Sequence, residues 1–403
     1  MIAGMVMFSP TTMGHSRTTV CEAFGGCYGF EVIMKTARIQ QVLLVLFIMT
    51  MAVISVFRSY HYGPTIAEAV DGIDDWNRYA RQALDIKHNG ILIGSVKRPY
   101  FGPGGFLYNY FIALFFIVFG DTLAPVFLAQ TILLCLSVVA IFRTFKDFLS
   151  KPTQFIFLCT LFVFATADVF VNYSHKLLAE SLGLFLFSMY VYTYVMSIRL
   201  HQDRTLLLST GFICLTTLVR PSMIPFLPLH IGLIVLYQVR RKELSWQRIT
   251  QHSALIAASL MIIPMRNFIV AGEWTFLPTE GSFNSVQQLV HSSFSDLVLK
   301  LAFCLGYLPP LNPVFKIRFH WLIMWAGYFY FCYYQVRNLK TVRFREFSLH
   351  AFILIYLIVS VVFVTVQSYG YRSMLLINFV VLGFSFMGLD VLVRRVRSIS
   401  KPQ

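Results

Sequence analysis

Asp71, Asp74 and Asp75 stand together in the first polar stretch after a long apolar run, in a chain with few charges. Ionisable groups at the edge of lipid are costly, so an acid cluster there is a seat for chemistry. Asp75, Tyr79 and Ala83 recur every four residues, which puts them on one face of a helix with Arg78 and Arg81 beside it. A carboxylate so placed can take a proton from an acceptor hydroxyl as a general base. The plainer reading is a solvated helix start, whose acids complement the helix dipole and pair with Arg78.

Two further groups of residues accompany the acids. In Asn172-Tyr173-Ser174-His175-Lys176-Leu177-Leu178-Ala179-Glu180, Glu180 enters an apolar helix, so it must face a polar cavity or a partner such as His175 or Lys176. The alternative is an interfacial anchor with a snorkelling lysine. Arg220 before Pro221, Arg266 in Pro264-Met265-Arg266-Asn267 and Arg372 in Tyr369-Gly370-Tyr371-Arg372 are far apart in sequence. Arginine offers a planar fork of donors that matches phosphate oxygens, so a converging set would hold a lipid phosphate or pyrophosphate. Singly, each reads as a snorkelling residue. Paired-histidine metal spacings, Walker A and GxGxxG patterns are absent; a divalent metal is possible but not indicated, and no other cofactor is implied.

The elements that position these residues are membrane helices. The 403 residues are 57% hydrophobic and 13% charged, with mean hydropathy +0.68, well outside the range of soluble domains. The net charge of +15 sits in short loops between apolar runs, where it reports topology and not nucleic-acid binding. The seven cysteines are odd in number and several lie within or beside apolar stretches, so they read as neither a disulfide framework nor a metal site.

Runs of about 20 apolar residues, enough to span, occur near 38–57, 122–143, 153–171, 177–198, 252–271, 319–336, 346–366 and 372–393. From Thr205 to Tyr237 a single helix would be about 50 Å long, so a hairpin turning at Arg220-Pro221 is expected. The Phe106–Gly120 run is short for a span. If it stays at the interface, the basic loops from Arg143 to the tail Arg394/Arg395/Arg397 fall on the side of Lys35 and Arg38, satisfying the positive-inside rule throughout. The expected fold is an all-α polytopic membrane protein of about ten transmembrane helices, with juxtamembrane helices in an extracytoplasmic first loop. The division expected is a disordered or mis-called N-terminal extension at 1–33, a single transmembrane domain at 34–393 with external loops 58–121 and 272–318, and a basic cytoplasmic tail at 394–403. An amphipathic helix is expected near 286–305.

Taken in order, these motifs resemble the GT-C class of polytopic glycosyltransferases, in particular the protein O-mannosyltransferase and aminoarabinose-transferase-like group. The resemblance rests on Asp75-x-x-x-Tyr79-x-x-x-Ala83, Arg98-Pro99 with Gly102-Pro103-Gly104, Tyr173-Ser174 with Leu177-Leu178-Ala179-Glu180, Leu218-Val219-Arg220-Pro221, Pro264-Met265-Arg266-Asn267 with Gly272, and Tyr371-Arg372. It implies a polyprenyl-phosphate sugar as donor and an extracytoplasmic glycan, lipid or protein acceptor. It also implies a surface-lying helix after the Pro-Gly turn, and Asp75 as catalytic acid or base with Asp74 as its competitor. Tyr79, Glu180, His175 and Lys176 would then line the pocket, and Arg220, Arg266 and Arg372 would address the donor phosphate. The chain departs from the pattern at Asp75-Trp76 and at His175-Lys176, where many relatives have Asp-Glu and an arginine. The other readings are a transporter or lipid flippase, which would carry its ionisable residues near the bilayer midplane, and a non-catalytic scaffold. The membrane expected is the bacterial inner membrane, with the endoplasmic reticulum as the alternative.

Overall fold

The computed structural model describes residues 27–62, 65–71, 75–90, 106–166, 176–224, 226–272, 319–337 and 370–399, with a short strand pair and a few single positions between them. The chain divides into two compact units, Met1–Met49 and Thr50–Gln403. Helix α1 (Cys27–Tyr62) begins ahead of residue 34 and contains the first spanning segment, Ile39–Arg58.

The next two helices are short and tied to each other. Thr65-x-x-Glu68 forms a capping box at the start of α2 (Ile66–Asp71): Thr65 N–H donates to Glu68 Oε2 at 2.7 Å and Glu68 N–H to Thr65 Oγ1 at 3.3 Å. Asn77, buried in the first turn of α3 (Asp75–Asn89), donates its amide to the carbonyls of Glu68 and Ala69 at 3.2 and 2.9 Å. These are carbonyls a short helix leaves open at its C-terminus, so the bonds fix α2 against α3.

Helix α4 (Phe106–Phe119) packs one face on α3, with Tyr108, Ile112, Ala113 and Phe116 fully buried beside Tyr79, Ala80 and Ala83. Leu114, Ile117, Val118 and Phe119 stay exposed. At about 21 Å it is too short to cross a hydrocarbon core of about 30 Å. It ends at Gly120, whose φ of +79° turns the chain in a conformation that side chains with a Cβ rarely adopt.

Helices α5 (Ala124–Phe145), α6 (Lys151–Thr166), α7 (Glu180–Leu200), α8 (Asp203–Val219), α9 (Phe226–Arg241) and α10 (Trp246–Ala271) follow. The break between α8 and α9 lies at Arg220-Pro221, where the length argument requires it. A two-residue antiparallel ladder pairs β1 (Tyr307–Leu308) with β2 (Lys316–Ile317), Tyr307 opposite Ile317, before α11 (Phe319–Arg337) and α12 (Gly370–Ile399). Among the described residues five helices are long and apolar enough to cross a membrane: Ile39–Arg58, Ala124–Phe148, Glu180–Leu200, Trp246–Ile269 and Leu376–Val396. Phe106–Phe119, Lys151–Thr166 and Phe226–Val239 are shorter apolar helices. The apolar run at 346–366 and the amphipathic stretch at 286–305 lie outside the described residues, apart from isolated positions.

Helix α7 is central, packed between α5 and α8, with α12 laid across it and α11 against α12. Where lipid replaces water, helices associate through close packing, and small residues allow it. A Cβ on Gly383 of α12 would stand 2.4 Å from the Phe145 ring, and one on Gly388 would stand 2.6 Å from the Gly327 carbonyl of α11. Ser385 Oγ adds hydrogen bonds to the carbonyls of Met324 and Val381 in the same seam.

Candidate functional site

Helix α7 starts at Glu180 and α8 ends at Val219, and the two ends meet. A residue before proline is pushed out of the helical region, and Arg220 accordingly leaves α8 with φ −136° and ψ 93°. Its stem then lies along α7 over Gly183, where an added Cβ would come within 3.4 Å of Arg220 Cγ and 3.3 Å of Leu376 Cδ2. Arg220 Nη2 reaches Glu180 Oε1, with both side chains no more than 8% exposed. This contact is an ion pair without hydrogen-bond alignment, and among the described residues Arg220 Nε has no hydrogen-bond partner. A guanidinium in this state is held by charge but not saturated in its donors.

The turn that delivers Glu180 is held from α5. Gln130, fully buried, donates its amide to the carbonyls of Ser174 and Lys176 at 3.1 and 3.0 Å and accepts from Tyr108 Oη at 2.6 Å. Tyr108 stands edge-on to Tyr79 of α3, ring centroids 5.0 Å apart. One side chain thus links the short helices after α1 to the start of α7. Asn109, next to Tyr108, donates to Gln82 Oε1, while its own carbonyl oxygen is buried without a partner.

Arg266 completes this end of the helices. Phe106 packs with Leu218 and Ile263, which brings the last two turns of α10 against the first turn of α4. Arg266 lies over the rings of Phe106 and Tyr110, 5.6 and 6.0 Å from their centroids, and its Nε donates to Tyr110 Oη at 3.4 Å. Among the described residues its Nη atoms have no hydrogen-bond or ion-pair partner. A guanidinium stacked on aromatic faces keeps its outer edge open for a planar anion.

Of the residues singled out from sequence, Tyr79, Glu180, Arg220 and Arg266 therefore gather where α3, α4, α7, α8 and α10 converge. Glu180 is ion-paired with Arg220, a partner the sequence did not suggest, while Lys176, which it did suggest, is exposed. Asp75 is the first residue of α3 and Arg372 lies in the first turn of α12, but their side chains, with all of Asp74 and His175, lie outside the described residues. Sequence reasoning missed Tyr108, Tyr110, Asn109 and Gln130. Gln130 carried a signal, since a glutamine inside a 22-residue apolar helix must find internal partners. Among the described residues no three His, Cys, Asp or Glu side chains are placed to hold a metal ion.

Residues 102–267, the stretch that contains α4 to α9 and most of α10 and so Glu180, Arg220 and Arg266, match the dolichyl-phosphate-mannose-protein mannosyltransferase family. The chain is similar in structure to the archaeal oligosaccharyltransferase AglB from Archaeoglobus fulgidus, solved with an inhibitory peptide and a dolichol-phosphate, with TM-score 0.53 and 13% identity over 90% of this chain. The chain has the GT-C fold. A second structure of the Archaeoglobus fulgidus enzyme, tethered to an acceptor peptide containing the NVT sequon, gives TM-score 0.53 and 14% identity over 89% of this chain. The chain spans about half the length of these structures, 52% of the first and 50% of the second. No curated protein matches it by sequence. Within the GT-C frame, the convergence of α3, α4, α7, α8 and α10 is the feature that gathers the conspicuous charges of an apolar chain.

Proposed function

We propose that this chain is an integral membrane glycosyltransferase that moves a hexosyl or pentosyl group from a polyprenyl-phosphate donor to a glycan, lipid or protein acceptor on the extracytoplasmic face. The observation that carries the reading is Arg266, with its guanidinium stacked on Phe106 and Tyr110 and its Nη atoms unengaged among the described residues. It stands at the end of the helices where Glu180 and Arg220 also lie. An open arginine fork at the edge of a membrane protein suits a lipid phosphate. The family match and the fold support the same class, and a dolichol-phosphate is bound in the AglB structure.

In this reading Asp75, or Asp74 in its place, takes the proton of the acceptor O–H as that oxygen attacks the anomeric carbon. The bond from the anomeric carbon to the phosphate oxygen breaks on the opposite face, inverting the configuration. Arg266, Arg220 and Arg372 neutralise the charge that develops on the leaving phosphate, a task for preorganised donors. Glu180 holds Arg220, and Tyr79, His175 and Lys176 line the pocket. Helix α4 lies at the membrane surface, the basic loops face the cytoplasm, and the membrane is the bacterial inner membrane, spanned about ten times. Residues 1–33 are an extension, 34–393 the catalytic domain and 394–403 a cytoplasmic tail.

The test is turnover of a polyprenyl-phosphate sugar by the purified protein with candidate acceptors, wild type against Asp75→Asn and Asp74→Asn. The expected result is turnover by the wild type, reduced at least about 100-fold by one of the two substitutions, as for loss of a general base. Equal rates in all three would remove both acids from the mechanism. Absence of turnover with every donor would reject the enzyme reading.

A further inference from the structure

A second set of buried ionisable groups lies in the same helices, away from the Glu180 end. Thr210 of α8 is fully buried, and its Oγ1 lies 2.8 Å from His230 Nε2 of α9 and 2.6 Å from His252 Nδ1 of α10. The far nitrogen of His230, Nδ1, lies 3.3 Å from Tyr190 Oη of α7. His230 is 0% exposed and His252 4%, and the two rings stand 6.3 Å apart. Tyr190 and His252 lie within the apolar spanning stretches of α7 and α10, and His230 within the apolar part of α9. Ionisable side chains in such positions are expensive and mark proton or ion paths by default.

The geometry is specific because a hydroxyl has one proton and two lone pairs. Two ring nitrogens on a single hydroxyl are both satisfied when it accepts from one and donates to the other. The carbonyl of Leu206, at 3.3 Å, is the more distant acceptor for its proton. With neutral rings, one order that uses every atom has His252 Nδ1–H donating to Thr210, Thr210 O–H to His230 Nε2, and His230 Nδ1–H to Tyr190 Oη. His252 Nε2 is then the one nitrogen open to an incoming proton. Arg248, one turn earlier on α10, pairs with the half-exposed Asp203 of α8 at 2.9 Å, so this end of the chain of bonds is the polar one.

We propose that His252, Thr210, His230 and Tyr190 form a proton-transfer site, in which a proton received at His252 is passed to His230 through the Thr210 hydroxyl. The step balances without another reactant. A proton binds His252 Nε2, making an imidazolium; its Nδ1–H bond breaks as that proton joins Thr210 Oγ1. The original Thr210 proton joins His230 Nε2. His252 and Thr210 end neutral, and His230 carries the charge with Tyr190 Oη accepting from its Nδ1–H. The groups that face this site are Tyr190 and Tyr194 from α7, Thr210 and Asp203 from α8, His230 and Tyr237 from α9, and His252 and Arg248 from α10. The Tyr194 hydroxyl is buried without a partner and its ring lies 6.1 Å from that of His230, so a further oxygen stands beside the acceptor ring. The site is independent of the sugar-transfer reading.

The experiment is nitrogen NMR of the full chain in detergent with 15N-labelled histidine, the two rings assigned by loss of their signals in His230→Gln and His252→Gln. As the pH is lowered from about 8 to about 3, through and below the window in which an exposed imidazole titrates, both rings of the wild type are expected to shift as one linked transition. Thr210→Ser, which keeps the hydroxyl, retains that linkage. Thr210→Val leaves His252 titrating and His230 neutral throughout. If the valine variant does not fold, His252→Gln serves instead and leaves His230 neutral. A His230 that titrates as in the wild type after either substitution, or a wild type in which neither ring titrates, overturns the proposal.

Discussion

Two buried acids in this chain are solved in opposite ways. Glu180 holds the Arg220 guanidinium, whose Nε has no hydrogen-bond partner among the described residues. Asp390 of α12 is 2% exposed and accepts from Ser150 N–H, Ser150 Oγ and Thr153 Oγ1 before α6 and in its first turn, while Arg394 pairs with it from the exposed side at 2.5 Å. Leu376, fourteen residues earlier on α12, touches the layer of Gly183 and Arg220, so the two sites lie roughly 21 Å apart along one helix. A saturated cluster is a staple. An unsaturated one keeps donors for something not yet bound.

The comparison is broken most severely at Glu180. Glu180→Ala leaves Arg220 charged and buried, which should cost about 3–5 kcal/mol and is measured as a fall in thermal midpoint in detergent. The double variant Glu180→Leu/Arg220→Met removes both charges and should recover most of that stability, because apolar replacement of a buried pair is often neutral. Sugar transfer should not recover with it. A double variant that regains both would make the pair a staple like Asp390.

Next in size is Gln130→Leu. It orphans the Tyr108 hydroxyl and the carbonyls of Ser174 and Lys176, and at about 1–3 kcal/mol for a buried unpaired group the loss should reach about 3 kcal/mol. Turnover should fall further than stability accounts for, because the turn that delivers Glu180 loses its tether.

Much of this was legible in the sequence. The hairpin at Arg220-Pro221 follows from the length of the apolar run, and the gathering of Glu180, Arg220 and Arg266 follows from charges too costly to leave in lipid. What could not be read was which charge meets which. Glu180 has Lys176 four residues before it in sequence, yet pairs with Arg220, forty residues on, because Gly183 leaves room for that stem and nothing local reports the approach. Gln130 shows the same limit, since its partners lie 44 and 46 residues away and only the rarity of an amide in an apolar helix hints at them.

Asp390→Asn tests the staple. The amide keeps one acceptor oxygen and loses the charge, so the three bonds from Ser150 and Thr153 weaken at an expected cost of about 1–3 kcal/mol. Turnover per folded molecule should be unchanged, which is the outcome that separates this acid from Glu180. A loss of turnover at full stability would carry the functional region through to the other end of α12.

The smallest effect is expected at Lys87, whose Nζ lies 2.7 Å from Asp121 Oδ1 and ties the end of α3 to the turn after α4. The bond looks strong by distance, but its partners are 23% and 41% exposed, and pairs at such sites contribute about 0–1 kcal/mol before screening by salt. Helix α3 is fixed instead by Tyr79, Ala80 and Ala83 against α4 and by Asn77 on the end of α2. Lys87→Ala should therefore leave both the thermal midpoint and turnover within error, and Asn77→Ala should lower the midpoint by the equivalent of about 1–3 kcal/mol. A reversal of that order would mean that the acid-bearing helix is positioned by a surface charge, and activity should then fall with added salt as the tie is screened.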